Sequence, residues 1–187
     1  MITPAEREFA LKLLDDTRDG VMRMLDGLSS EQLLYLPEPG RWSIAQNMEH
    51  LIVVERFVVP AIEKLLLNPP DLTTQPAMDD QDVLRKVGTV VNRVQSPERA
   101  LPTSRWPAEQ LSREVEAARQ YTRNFVSSTN GDLRRHFIRH FLFGDLDAYQ
   151  WLLLIGCHSS RHTNQSKGVI ASPNFPSGGE REATAVE

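Results

Sequence analysis

The sequence has little cysteine, no excess of positive charge and no long hydrophobic run. Its single cysteine, Cys157, cannot form a disulfide within the chain. Lysine and arginine number 21 against 25 aspartates and glutamates, a net charge of −4, which disfavours nucleic-acid binding because such binders usually carry a basic excess. No apolar run approaches the roughly 18 residues of a membrane-spanning helix, and Trp151–Ile155 is among the longest.

These absences favour a soluble, cytoplasmic protein of one domain. The length of 187 residues is close to the usual size of one domain, and 40% apolar residues exclude wholesale disorder. Glu6, Arg7 and Glu8 precede any apolar run, so we expect no secretion signal at the N-terminus. We expect neither a membrane nor a nucleic acid among the partners.

Helical periodicity dominates the pattern of apolar residues, and strand signals are scarce. Thr3 followed by Glu6, and Ser43 followed by Gln46, match the capping box, in which two side chains satisfy free N–H groups at a helix start. The periodicity predicts four long amphipathic helices, over residues 3–28, 43–65, 108–130 and 146–170. We therefore predict an all-α fold, a four-helix bundle over residues 1–171, followed by a mobile tail over 172–187.

The connection over residues 68–107, between the second and third long helices, is too long for a plain loop. Apolar residues at helical spacing predict an accessory helix within it, from Asp79 to Val94. The expected depths of the histidines described below agree better if the second and fourth long helices are antiparallel, with the third parallel to the second. We also predict a short helical turn from Leu133 to Leu142.

Two of the five histidines, His158 and His162, lie four residues apart on the last predicted helix. This spacing places both imidazoles on one face, about 6 Å apart along the axis, where they can bind one metal ion. The face begins with apolar residues, so it points inward, and buried imidazoles need partners. His50, on the inward face of the second helix, is the candidate third ligand. The alternative is ordinary histidines of the core or of a partly exposed surface.

A second pair, His136 and His140, has the same spacing and is a competing candidate for a metal. Arg134, Arg135 and Arg139 surround it, and neighbouring cations disfavour a bound cation. We interpret this pair as part of a surface turn, in which His140 can line the mouth of a pocket.

Three other positions near the predicted histidine site have candidate roles. Asn47 and Gln165 lie near the ligand faces and can orient a histidine or a substrate, with ordinary packing as the alternative. Arg161 is a candidate to receive an anionic group of the substrate, with a solvated side chain as the alternative. Glu49 and Cys157 each point about 100° away from the neighbouring histidine, so we expect neither a general base nor a nucleophile from them.

Three segments resemble motifs of the DinB/YfiT-like family. Residues Trp42–Leu51 are similar to its W-S-x6-H-L signature, and His158–Gln165 to its H-x-x-R-H-x-x-Q motif in the final helix. Residues His140–Gly144 resemble its H-P-x-F-G segment, with Phe141 in place of the usual proline. The order and spacing of these segments agree from the first helix to Gln165.

The resemblance implies a four-helix bundle in which His50, His158 and His162 hold a divalent metal, zinc or nickel. The family includes thiol-dependent S-transferases and isomerases that use bacillithiol or mycothiol, and homodimers are common in it. We therefore expect a metal-dependent enzyme with a small-molecule substrate. Its reaction would be thiol-dependent S-transfer to a small electrophile, with a low-molecular-weight thiol as cofactor, or metal-assisted hydrolysis. The alternative is a non-catalytic, stress-related metal-binding bundle protein.

Overall fold

The computed structural model describes residues 1–89 and 96–177, and this part of the chain is mainly helical. The all-α prediction agrees with it at the level of class, apart from one small antiparallel sheet. The α-helices and strands are α1 (Pro4–Leu25), α2 (Ser30–Leu34), α3 (Ile44–Leu65), α4 (Asp80–Thr89), α5 (Leu111–Ser128), β1 (Phe137–His140), β2 (Gly144–Asp147) and α6 (Ala148–Ile170). Short 3-10 helices span Glu98–Ala100, Ala108–Gln110 and Leu133–Arg135.

Capping residues set where three of the four long helices begin. The predicted capping boxes at Thr3 and Ser43 are present at the starts of α1 and α3. A third capping box, formed by Asp147 and Gln150, begins α6 at Ala148, two residues later than predicted. Each box satisfies N–H groups that the first helical turn leaves without a partner.

Both α1 and α3 pack against both α5 and α6. Asn47 near the start of α3 contacts His162 near the end of α6, and His50 further along α3 contacts His158 further back on α6. Helices α3 and α6 are therefore antiparallel, as predicted.

The third long helix runs parallel to the second, as predicted. Arg56 of α3 donates to Glu114 of α5, and Tyr121, two turns further along α5, donates to Glu63, two turns further along α3. The long connection containing α4 returns the chain to make this parallel arrangement possible.

A buried arginine on α5 connects all four long helices. Arg119 donates to the Glu55 carboxylate of α3 at 2.8 and 3.3 Å and to the Ser159 hydroxyl of α6 at 2.8 Å. It also donates to the Leu14 carbonyl and the Thr17 hydroxyl of α1. Because the guanidinium presents its donors in a rigid planar fork, these bonds constrain the register of the helices around it.

The predicted helical turn from Leu133 to Leu142 is wrong over most of its length. Only Leu133–Arg135 forms a 3-10 turn, and β1 then pairs with β2 so that His140 lies opposite Gly144. The left-handed backbone of Gly144 (φ +77°) allows this short connection. Neighbouring backbone also holds the hairpin: Ala77 N–H donates to the Asp145 carbonyl. These distant partners leave no periodic signal in the local sequence.

The accessory helix is present as α4, Asp80–Thr89. Its apolar face packs into the core through Val83 and Val87, both buried. Residues 90–94 of the predicted helix lie outside the described residues. The short helix α2 was not predicted.

After α6 the chain returns to α2. Phe175 makes an edge-to-face contact with Tyr35, and the Pro176 carbonyl accepts a hydrogen bond of 2.9 Å from Gln32. The remainder of the predicted tail, 178–187, lies outside the described residues, and the domain boundary after residue 171 stays a prediction. Among the described helices, none is long and apolar enough to cross a membrane.

The Glu55–Arg119 pair provides a test of how the helices are held together. Replacing Glu55 with alanine leaves the Arg119 guanidinium buried without its counter-charge, and we expect the free energy of unfolding to fall by about 3–5 kcal/mol. Urea denaturation followed by circular dichroism measures this loss. The control is Asp16→Ala, which removes a carboxylate from an exposed pair with Lys12 and should have little effect. Similar losses in the two variants would contradict the assignment.

Candidate metal centre

The structure brings His50, His158 and His162 together, although His50 lies more than 100 residues before the other two in the chain. The Nε2 atom of His158 lies 3.2 Å from Nε2 of His50 and 3.0 Å from Nε2 of His162. Ligand-type atoms of the three side chains all lie within 4.8 Å of one another. His50 and His162 are buried, and His158 is partly exposed.

The outer nitrogen of two of these rings is held by a hydrogen-bond acceptor. Nδ1 of His50 donates to the Ala100 carbonyl at 2.7 Å. Nδ1 of His162 lies 2.7 Å from Oδ1 of Asn47, whose amide nitrogen donates to the Ser43 carbonyl at 2.8 Å. That second bond orients the amide so that its oxygen faces His162, which makes Nδ1 the protonated nitrogen. In the neutral rings, Nε2 of His50 and of His162 therefore carries a lone pair.

The three Nε2 atoms thus converge, but the neutral rings carry too few protons for every close pair of these atoms to form a hydrogen bond. His158 can donate from Nε2 to one neighbour only, so at least one pair of Nε2 atoms faces each other without a shared proton. Burial lowers the pKa of His50, and lowers the pKa of His158 and His162 well below the usual value, with the Arg161 charge acting in the same direction. The neutral imidazole is the form that binds a metal.

The separations match those expected around one cation. Two nitrogens bound at 2.0–2.1 Å to tetrahedral zinc lie about 3.3 Å apart. The observed separations of 3.0 and 3.2 Å from the His158 nitrogen are close to that value. The donor set, nitrogen alone, suits zinc, nickel and related divalent ions.

The loop after the 3-10 helix Glu98–Ala100 is held by a buried carboxylate that the sequence reasoning set aside. Glu49 accepts hydrogen bonds from the backbone N–H groups of Thr103 and Ser104, at 2.7 and 2.8 Å, and from the Arg105 guanidinium at 2.6 Å. The last residue of the 3-10 helix, directly before this loop, supplies the Ala100 carbonyl that orients His50. Glu49 therefore acts as an anchor and not as a base, as its direction away from His50 predicted. The role of Ala100 is a backbone contact, which leaves no signal in residue type.

The histidines form part of the wall of a cavity of about 870 Å³. Gln165, Arg161 and His140 also line it, as does Trp42, whose ring stacks on His162 with centroids 6.0 Å apart. Asn47 lines the same wall and contacts His162 directly. The four residues that the sequence indicated near the site, Asn47, His140, Arg161 and Gln165, thus all border one cavity.

The competing pair, His136 and His140, does not come together as a metal site. Its spacing suggested a site on one helical face, but the chain from Phe137 to His140 is a strand. The ring nitrogens of His136 lie 2.8 and 3.0 Å from the carbonyls of Asp132 and Asn68. His140 lines the cavity mouth instead, and burial lowers its pKa to about 4.

Cys157 is buried, and burial raises the pKa of its thiol to about 11. A thiol with so high a pKa is almost wholly protonated at neutral pH, and the thiolate is the reactive form. This agrees with the prediction that Cys157 packs between helices and is not a nucleophile.

Comparison with known proteins places the chain in a family. The family model described as the DinB superfamily matches residues 13–166. The chain is similar to the uncharacterized protein YuaE of Bacillus subtilis, with 24% identity over 162 residues, which cover 85% of this chain and 96% of YuaE. No solved structure matches the chain. The matched region contains all three clustered histidines, and the chain belongs to the DinB superfamily.

Proposed function

We propose that this protein is a divalent-metal-dependent enzyme whose metal is bound by His50, His158 and His162, and that its four long helices form a four-helix bundle. The observation that carries the proposal is the convergence of three neutral imidazole nitrogens on the wall of a large cavity. Zinc and nickel are the proposed metals, since both favour imidazole ligands.

The number of ligands favours a reactive site over a structural one. Structural zinc sites use four protein ligands, usually with cysteine, whereas catalytic sites use three and keep a position for water or substrate. Among the described residues, the cluster contains three histidines and no further cysteine, aspartate or glutamate. A bound metal would supply an acidic centre that holds a thiolate deprotonated or lowers the pKa of a water.

The surrounding residues hold the site and receive the substrate. Asn47 and the Ala100 carbonyl orient the His162 and His50 rings, which keeps Nε2 of both rings free. Trp42 covers the ring of His162. The cavity bordered by these groups is large enough for a small-molecule substrate.

The absence of a suitable base favours thiol-dependent S-transfer to a small electrophile over hydrolysis. The described residues that line the cavity include no aspartate or glutamate. Nδ1 of His140 accepts hydrogen bonds from the backbone N–H groups of Leu142 and Phe143, so the proton of its neutral ring lies on Nε2. Neither nitrogen of this ring is therefore free to act as a base. A metal held by His50, His158 and His162 would keep a bound thiol deprotonated, so S-transfer would need no separate base. We propose a low-molecular-weight thiol as the cosubstrate, and a homodimer as the assembly.

The metal content of the protein tests the proposed ligands. We expect about one divalent metal per chain in the purified, untagged protein, measured by inductively coupled plasma mass spectrometry, and almost none in the His158→Ala/His162→Ala variant. His50→Ala should also lose metal. His140→Gln, which alters a histidine in the same cavity but outside the cluster, should retain it. Metal that persists in the double variant would show that the ligands lie elsewhere.

A substitution at Glu49 tests whether the segment that orients His50 supports the metal site. Replacing Glu49 with alanine releases Thr103, Ser104 and Arg105, and we expect the zinc affinity to fall by about 10–100-fold, measured by competition with a chromophoric chelator. Trypsin should also cleave more rapidly after Arg105. The matched control is Glu63→Ala, which removes an exposed carboxylate from the same helix. An unchanged zinc affinity in Glu49→Ala would separate the loop from the site.

The reaction itself is tested with the metal-loaded protein. We expect it to accelerate thioether formation between a low-molecular-weight thiol, such as bacillithiol or mycothiol, and monochlorobimane, in which a C–S bond forms and chloride leaves. The His158→Ala/His162→Ala variant, checked for folding by circular dichroism, should lack this activity. Hydrolysis of p-nitrophenyl acetate without thioether formation would favour the hydrolase. Metal binding without either activity would favour the non-catalytic, stress-related binding protein.

A further inference from the structure

The cavity is basic although the whole chain is acidic. Four arginines line it, whereas none of its described lining residues is an aspartate or glutamate, and the chain as a whole has a net charge of −4. The four are Arg41, Arg99, Arg139 and Arg161. Such a one-signed lining favours an oppositely charged ligand, because the low-dielectric walls focus the field of the arginines.

Three of these arginines have neighbours that account for their positions. Arg41 lies 3.5 Å from Glu38, and Arg139 lies 3.5 Å from Asp145. The Arg99 guanidinium lies over the ring of Phe57, 4.3 Å from its centroid.

Arg161 differs from the others because none of the described residues accepts a hydrogen bond from it or pairs with its charge. Its Nε atom is buried without a hydrogen-bond partner, and the described residues offer it no ion pair. A buried donor left without an acceptor is costly. The side chain lines the cavity, so an anionic group within the cavity can satisfy it through a charge-assisted hydrogen bond.

The position of Arg161 beside the three histidines also favours binding of an anion in the cavity. Arg161 directly precedes His162 in the chain and lines the same cavity as His50, His158 and His162. A divalent metal on these neutral rings would add two positive charges beside the guanidinium. An anionic ligand would reduce the resulting repulsion.

The mouth of the cavity is apolar and partly aromatic. Phe57, Phe141 and Leu142 line it while 49, 58 and 46% exposed. Trp151 and Phe143 border the same space, and both of their rings contact the His140 ring. Exposed apolar side chains grouped around a concave site favour contact with an apolar part of a ligand.

We propose that the cavity binds small molecules that combine an anionic group, a carboxylate or sulfonate, with an apolar, aromatic body, and that Arg161 receives the anion. The aromatic body lies against Phe57, Phe141 and Leu142. The claim that such molecules are substrates rests on the proposed function, because it needs the metal. The claim that they bind through Arg161 does not need the metal.

Two fluorescent probes with the same ring system separate the charge from the apolar body. We would titrate the protein with 8-anilinonaphthalene-1-sulfonate and with N-phenyl-1-naphthylamine, which lacks the sulfonate. We expect the sulfonate to bind at least about tenfold more tightly, Arg161→Gln to lose about tenfold in sulfonate affinity, and the neutral probe to bind within about twofold in both proteins. Arg161→Lys, which keeps the charge, should restore part of the preference.

The control variant is Arg113→Gln, which removes an exposed arginine of α5 that does not line the cavity. It should bind both probes like the unaltered protein. Equal preference for the sulfonate in the unaltered protein and in Arg161→Gln would overturn the proposal, as would a loss of both probes together. Circular dichroism confirms that each variant is folded.

The same titrations on zinc-loaded and chelator-stripped protein separate this inference from the proposed function. A sulfonate preference that depends on Arg161 in a protein that takes up no metal would support the anion site and refute the metalloenzyme. A protein that binds zinc through its histidines but shows no Arg161-dependent preference would support the metal centre and refute the anion site.

Discussion

The buried contact network of Arg119 is the interaction on which the arrangement of the helices most depends. One guanidinium on α5 binds the Glu55 carboxylate, the Ser159 hydroxyl and two oxygens of α1. Ser159 directly follows His158, and Glu55 lies five residues after His50 on α3. A buried charge tolerates little displacement of its partners, because each lost hydrogen bond leaves an uncompensated group. The network therefore also restrains the register of α3 against α6, on which the contact between His50 and His158 depends.

A second layer of polar groups determines which nitrogen of each ring faces inward. Asn47 orients His162 from within α3, whereas His50 relies on the Ala100 carbonyl directly before a loop that Glu49 holds in place. The two contacts differ in how firmly they are held, since a residue within a helix supplies the first and a segment anchored by Glu49 supplies the second. The segment before this loop contributes Arg99 to the lining of the cavity, so Glu49 connects the orientation of a ring with the shape of the cavity.

The electrostatics of the cavity suit the chemistry proposed for it. Neutral imidazoles provide lone pairs for a cation, and burial keeps them neutral by lowering their pKa values. Nε of Arg161 is buried without a hydrogen-bond partner among the described residues, so the proposed site combines ligands for a cation with a donor for an anion.

Local sequence determined the long helices, the capping boxes at Thr3 and Ser43, and the shared face of His158 and His162, because these follow from spacing within one element. The placement of His50 beside that pair was predictable because inward-facing polar residues need partners. The hairpin of β1 and β2, the Ala100 carbonyl and the anchoring role of Glu49 were not, since each depends on backbone groups brought together from distant parts of the chain. Only the tertiary structure decided that Arg161 lines a cavity with no hydrogen-bond partner for its Nε among the described residues, because a side chain's surroundings depend on which other helices pack around it.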